Sequence, residues 1–268
     1  MSDSLSSPIT EKLEVEALLD ELPIAVKRGH FIDFVRGFPR KYLVATPRVE
    51  IVKHYFLMEG LKEKDIISSL SRGREFWKLS LVTRDRESLF SRICGCLSCF
   101  GMDIFEAQAF ANAQAFVLDT FQFQDPEHFF DSDNNRRSFH YLMEEVIERK
   151  KSLEDLLRRR SSQFTDLPFE VLDAQTDNDS HSLATRLTLN CSDHFGLLYR
   201  ISRCISEKGH DIVIAYVQTS REEVHNEFYL THQEEKLTEE MQKILRDELA
   251  CLGNENQILK ERKEKIGV

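Results

Sequence analysis

Between Asp85 and Phe228 the chain repeats itself at an offset of 108 residues, and few folds accommodate such a repeat. Asp85 stands with Asp193, Leu89 with Leu197, Arg92 with Arg200 and Ile93 with Ile201. Cys96, Gly101, Asp103, Ile104 and Ala107 stand with Cys204, Gly209, Asp211, Ile212 and Ala215. After a one-residue shift, Val117 meets Val224 and Phe121 meets Phe228. Apolar positions stay in phase throughout, the signature of a duplicated structural unit.

Each copy opens on strand-like alternation, Phe76–Val82 or Leu183–Cys191. A short loop containing an Asp leads into a helix, Ser88–Phe100 or Phe195–Glu207, ended by Gly101 or Gly209. Two strands joined by a tight turn follow: Met102–Ala111 with Ala115–Phe123, and Asp211–Gln218 with Val224–Thr231. The first copy then carries one long helix, Phe139–Leu157, and the second a helix from Thr238 to Leu252, stopped by Gly253. A fourth strand would complete a β-α-β-β-α-β unit, an antiparallel sheet with both helices on one face. No convincing fourth strand follows the last helix, and the short strand Phe169-Glu170-Val171-Leu172 could complete either sheet.

Ahead of the repeat, residues 1–9 are Ser-rich, Glu11–Leu22 and Ile24–Phe38 read as helices, and Thr46-Pro47 reads as an N-cap followed by a first-turn Pro. Leu61–Leu70 reads as a shorter amphipathic piece and Ser71-Arg72-Gly73-Arg74 as a linker. The expected organisation is α+β: a helical segment over 1–72, repeat units over 73–179 and 180–254, and a charged tail over 255–268. Open sheet faces and edges on such small units favour pairing with a second copy, so the linked units should dock. The Asp-containing loops would then lie near a ligand-prone interface. A homodimer or protein partner could use the same surfaces.

The 36 basic residues against 46 acidic ones give a net charge of −10, which argues against nucleic-acid binding. No apolar run reaches bilayer length, and Met1-Ser2-Asp3-Ser4 does not open a signal peptide. Six Cys fit reduced thiols, so a soluble cytoplasmic chain is expected, without membrane partners. Cys94, Cys96 and Cys99 invite a metal, but on a helix 94 and 96 point apart, and core packing suits them better. His54, His225 and His232 read as surface residues, and the basic runs Arg149-Lys150-Lys151 and Arg158-Arg159-Arg160, interleaved with acids, as a solvated face. No nucleophilic triad, P-loop or dinucleotide fingerprint stands out, and no cofactor is expected.

The chemistry concentrates in the loops. A strand, a tight loop and a helix N-terminus form an anion-binding corner whose amides suit an α-carboxylate. Gly196 permits positive φ or close ligand approach. Asp193 could pair with an α-ammonium or cap the helix. Ser88 replaces the Gly in the first loop, permitting capping with less backbone freedom, so the second loop reads as the better ligand site. Phe195 narrows the second pocket.

Asp193-His194-Phe195-Gly196-Leu197-Leu198 resembles the Asp-Arg-Pro-Gly-Leu-Leu loop of ACT domains, the ferredoxin-like amino-acid sensors. Lys208-Gly209-His210-Asp211-Ile212 resembles that family's strand start, and Phe228-Tyr229 its later strand. The Phe38–His54 stretch, with Phe38-Pro39-Arg40-Lys41-Tyr42-Leu43, resembles the segment ahead of the ACT pair in bacterial PII uridylyltransferase/uridylyl-removing enzymes. The resemblance implies tandem ACT domains in a non-catalytic regulator, since the Gly-Gly-Ser nucleotidyltransferase and His-Asp phosphohydrolase signatures are absent. It implies a small amino acid, glutamine first, as effector in nitrogen regulation. The implied contacts are Asp85, Arg86, Ser88 and Leu89, Asp193, His194, Phe195, Gly196 and Leu197, with Asp103 and Asp211 at the strand starts. Two alternatives stay open: a ligand-free ACT interaction scaffold, and a degenerate uridylyltransferase relative.

Overall fold

A computed structural model describes residues 26–61, 64–112, 115–159, 170–220 and 223–266. Its eight strands are β1 Ile66–Arg72, β2 Trp77–Arg84, β3 Asp103–Ala111, β4 Phe116–Gln124, β5 Val171–Asp177, β6 Thr185–Ser192, β7 Asp211–Ser220 and β8 Glu223–Thr231. They form one sheet in the order β1-β2-β4-β3-β7-β8-β6-β5, antiparallel at every step. The two copies therefore join edge to edge through β3 and β7.

The register of that seam follows from the repeat. Ala107 pairs with Val217, Gln108 with Tyr216 and Ala109 with Ala215. Gln108 thus faces its own counterpart, and the Ala107–Val217 pair maps onto Ala109–Ala215 when the copies are exchanged. A local two-fold axis passes through the Gln108–Tyr216 pair, as in an isologous dimer interface.

The helices are α1 Arg28–Val35, α2 Arg40–Ala45, α3 Arg48–Gly60, α4 Leu89–Cys99, α5 Asp133–Ile147, α6 Leu153–Arg159, α7 Leu197–Glu207 and α8 Glu239–Ile266, with a 3₁₀ turn at Phe129–Asp131. The expected β-α-β-β-α-β order is corrected to β-β-α-β-β-α, because the edge strand precedes each copy instead of closing it. The amphipathic piece expected at Leu61–Leu70 and the adjoining linker are largely β1, hydrogen-bonded to β2 from Ile66–Thr83 to Arg72–Trp77. β5 extends the strand expected near Val171 and pairs with β6, in the second copy. The single helix expected over Phe139–Leu157 is two, separated where Arg149 takes φ 61°. Within the described part of Ile24–Phe38 the helix is α1, Arg28–Val35, and Pro47, not Thr46, is the N-cap of α3. Gly253 does not stop α8: one interior Gly costs about 1 kcal/mol, and the Glu-, Gln-, Leu- and Lys-rich run beyond it favours helix. The expected Glu11–Leu22 helix lies outside the described residues.

Strand alternation divides the core into two layers. Val117, Phe121 and Phe123 of β4 face α4 to α8, while Leu118 faces the other way. Over the seam, α4 packs beside α7. A Cβ on Gly95 would lie 2.5 Å from Leu153 Cδ2 and 2.8 Å from Tyr199 Cε2, so a larger residue at that crossing would have to displace both side chains.

The opposite sheet face is covered by α1, α2 and α3 rather than left open for a second copy. Phe31, Phe38, Tyr42 and Ile51 bury against Val82, Phe110 and Leu118 of the first copy and Ala184, Ile214 and Tyr229 of the second. Tyr42 packs 4.7 Å from Phe38 and 5.2 Å, edge-on, from Phe110. Lys41 Nζ lies 3.9 Å over the Tyr216 ring and pairs with Glu227, and Lys78 Nζ meets Glu50 at 2.6 Å. The helical layer thus grips both copies. His54, expected on the surface, is 2% exposed, and its Nδ1 lies 3.0 Å from the Tyr42 hydroxyl. Among the described residues no helix is long and apolar enough to cross a membrane.

Candidate functional site

The two loops are built alike. Each leaves a strand, β2 or β6, and enters a helix through a left-handed residue: Ser88 at φ 59°, ψ 22° before α4, and Gly196 at φ 75°, ψ 5° before α7. Ser88, the N-cap of α4, makes no side-chain capping hydrogen bond, so the capping role considered for it is not realised, and the N-cap of α7 is Gly196 rather than Asp193. A left-handed conformation is free for Gly but costs an L-residue about 1–2 kcal/mol. Ser88→Gly is therefore expected to stabilise the protein by up to about 1 kcal/mol after the added unfolded-state entropy, and Gly196→Ala to destabilise it by about as much. Urea midpoints check both; equal and opposite signs are expected, and a destabilised Ser88→Gly protein would show that the serine is held there by more than geometry.

Each loop closes over a small cavity whose other wall comes from the opposite copy. Asp193, His194, Gly196, Leu197 and Leu198 share one cavity with Ser98, Asp103 and Ile104. Asp85, Arg86, Ser88, Leu89 and Phe90 share the other with Ser206, His210, Asp211 and Ile212. The repeat offset carries one set onto the other: Ser98 onto Ser206, Asp103 onto Asp211, Ile104 onto Ile212. All the expected contact residues line these cavities except Phe195, which is half-buried and does not line the second one. The cavities measure about 10 Å³ at the second loop and 20 Å³ at the first, room for roughly one water each.

Acidic groups meet across the seam. Burial, then the nearby Asp193, raises the Asp103 carboxyl. Burial, then Asp85 and Glu87, raises Asp211, with His232 opposing. Asp85 is raised by burial against a hydrogen bond from the Arg86 backbone N–H. His194 is lowered by burial and then by Arg200. Carboxyls held above their usual range in a cleft are a mark of functional sites.

Asp119 and His210 escape a reading that follows apolar positions. Asp119 lines the first cavity from β4, wholly buried, and burial followed by Asp85 pushes its carboxyl well above the usual range. Its counterpart lining the second cavity is Asn226, also buried. The signal was present: in Val117-Leu118-Asp119-Thr120-Phe121, a two-residue period puts an Asp on the core face between Val117 and Phe121.

Cys94, Cys96 and Cys99 are buried in the core, and burial raises the Cys94 and Cys96 thiols. Among the described residues no group of three or more His, Cys, Asp or Glu is arranged to hold a metal. The basic run near Arg149 is solvent-facing, Arg149 pairing with Glu87 at 2.6 Å and Lys150 with Glu148 at 2.5 Å.

No protein-family model matches the chain. Among characterised proteins it is similar to bifunctional uridylyltransferase/uridylyl-removing enzymes. The similarity is 27% identity over 211 residues for that of Nitrobacter winogradskyi, covering 76% of this chain and 23% of the relative. It is 29% over 203 residues for Ralstonia nicotianae, covering 74% and 23%. For Azospirillum brasilense it is 28% over 169 residues, covering 60% and 18%. The chain thus spans 18% to 23% of the length of these relatives.

Proposed function

We propose that this chain is a non-catalytic regulatory protein built on two ACT-like units, sensing a small amino acid at the seam between them. The observation that carries it is the pair of two-fold-related cavities, each made by a strand-loop-helix turn of one copy and a strand start of the other. The turn offers backbone amides to a carboxylate. The facing Asp103–Asp193 and Asp85–Asp211 pairs offer counter-charge to an ammonium. Similarity to part of the uridylyltransferase/uridylyl-removing enzymes supports a regulatory role and makes glutamine the first effector to try.

Cavities of this size cannot hold an amino acid without opening. Binding must therefore separate loop from strand across the seam, and that movement changes how the two copies sit together. Such a coupling works only if the ligand prefers the opened arrangement. Calorimetry against a panel of free amino acids is expected to give saturable heat with glutamine or another member, its second-loop component removed by Gly196→Val. A silent panel would leave the second reading, a ligand-free interaction scaffold, which the closed cavities favour. Under that reading Gly196→Val would leave partner capture intact.

A further inference from the structure

We propose that the cavity under the first loop binds a primary ammonium group with Asp119 as counter-ion, and that its counterpart in the second copy lacks this counter-ion. The proposal uses one cavity of the amino-acid-sensing reading and rests on that reading for the route of entry, but it does not require the ligand to be an amino acid.

Among the buried positions at which the two cavities differ, one exchanges an acid for an amide. In the second copy Asn226 stands opposite Leu189 across the β6–β8 ladder, and its Nδ2 donates to the Leu189 carbonyl at 3.2 Å. In the first copy Asp119 stands opposite Leu81 across β2–β4. It is 0% exposed, and neither carboxyl oxygen has a hydrogen-bond partner among the described residues. Where asparagine satisfies itself on the neighbouring strand, the Asp119 carboxyl leaves both oxygens unpaired at the cavity it lines. A buried acceptor without a donor is unfavourable, and in a folded protein each such group calls for a partner. His210 Nδ1 is a second buried polar atom without a partner in the same cavity. Asp85 and Asp211 sit at its exposed mouth.

A partner that fits is small and a donor, and a cationic one also neutralises the carboxylate once its proton has left. The cavity takes about one water-sized group, which matches an –NH₃⁺ head with its three donors. The side chains are not set at metal-ligand geometry. The titratable and charged groups facing Asp119 are Asp85 and Arg86 from the loop, His210 and Asp211 from the start of β7, and Cys94 from α4. Of these, Arg86 is the cation, and it makes no hydrogen bond to Asp119.

Burial and Asp85 keep Asp119 protonated in the empty cavity well above the usual carboxyl range. When an ammonium enters, its N–H groups donate to the Asp119 carboxylate and the Asp119 proton leaves to solvent. No bond other than that O–H is broken. One proton is then released per amine bound, and affinity tightens up to tenfold per pH unit while Asp119 stays protonated in the free protein.

The test is titration calorimetry of the full chain with methylammonium chloride, and with sodium acetate as the anion control, in two buffers of different protonation enthalpy at pH 6 and pH 7.5. Methylammonium is expected to bind saturably with release of about one proton, more tightly at pH 7.5, and acetate to leave that binding unchanged. Asp119→Asn, which reproduces the Asn226 arrangement and so keeps a satisfied sheet, is expected to weaken methylammonium at least tenfold and abolish the proton release. Absence of methylammonium binding, or equal binding by Asp119→Asn, overturns the proposal. Methylammonium binding with a silent amino-acid panel sinks the sensor reading and upholds this one. Amino-acid binding at this cavity indifferent to Asp119→Asn does the reverse.

Discussion

Truncating Tyr42 to Ala is expected to cost about 3–5 kcal/mol, the range for removing a large buried aromatic side chain. Tyr42 is wholly buried between Phe38 and Phe110, and its hydroxyl is held by His54. Urea unfolding followed by far-UV circular dichroism measures the loss. Tyr42→Phe, which removes only the hydroxyl and strands His54 Nδ1, should cost about 1 kcal/mol. An Ala variant less than 1 kcal/mol below wild type would mean that the helical layer is not docked on the sheet. His54 adds a pH signature. Burial first, then Lys78 and Lys53, hold it at about 4 against an ordinary 6.5. The unfolded chain therefore takes up a proton that the folded chain refuses, and stability falls as pH drops from 6.5 towards 4. That gap corresponds to about 3 kcal/mol, lost over acidic pH and absent if the layer is detached.

Asp119→Asn should act in the other direction, raising stability at pH 7.5 by about 1–3 kcal/mol, the penalty of an unsatisfied buried polar group. For a chain of this size each kcal/mol moves the melting midpoint by roughly 2–4 °C. The folded protein holds the Asp119 proton to high pH, whereas the unfolded chain releases it near 3.9. The unfolded state thus binds fewer protons in that window, and stability falls as pH rises through it. The advantage of Asn over Asp should accordingly be small below pH 4 and grow towards neutrality. Below pH 6.5 this slope overlaps the opposite one from His54, so the difference between wild type and variant isolates Asp119, and the variant itself shows the His54 slope. Thermal melts at pH 4 and pH 7.5 decide it, and a variant destabilised at pH 7.5 would show that Asp119 has a partner within the protein.

The repeat was legible because its evidence lies in fully buried positions. Leu89, Ile93, Leu97 and their counterparts must stay in phase to reach one core, and β3, β4, β7 and β8 fall within one or two residues of their expected bounds. The edge strands were not. β1 reads Ile-Ile-Ser-Ser-Leu-Ser-Arg and is only partly buried, so its alternation is weak, and Leu61, Ile66, Ile67 and Leu70 fit helical spacing as well. The decision came from the ladder to β2, a long-range pairing that no local pattern encodes. The contact residues of the two loops were legible by resemblance. Their partners across the seam, Ser98 and Ser206, could be found only once the register of β3 on β7 was known.

The seam also bears on how such a protein can change. Were the eight strands built by two identical chains, any substitution near the axis would occur twice, and both cavities would alter together. Here the two halves are covalently joined and separately encoded, so each cavity varies alone. Ser88 faces the choice that Gly196 avoids, Arg86 stands where the other half has His194, and Asp119 stands where it has Asn226. Duplication within one chain keeps the geometry of a symmetric dimer while letting its two mouths acquire different chemistries.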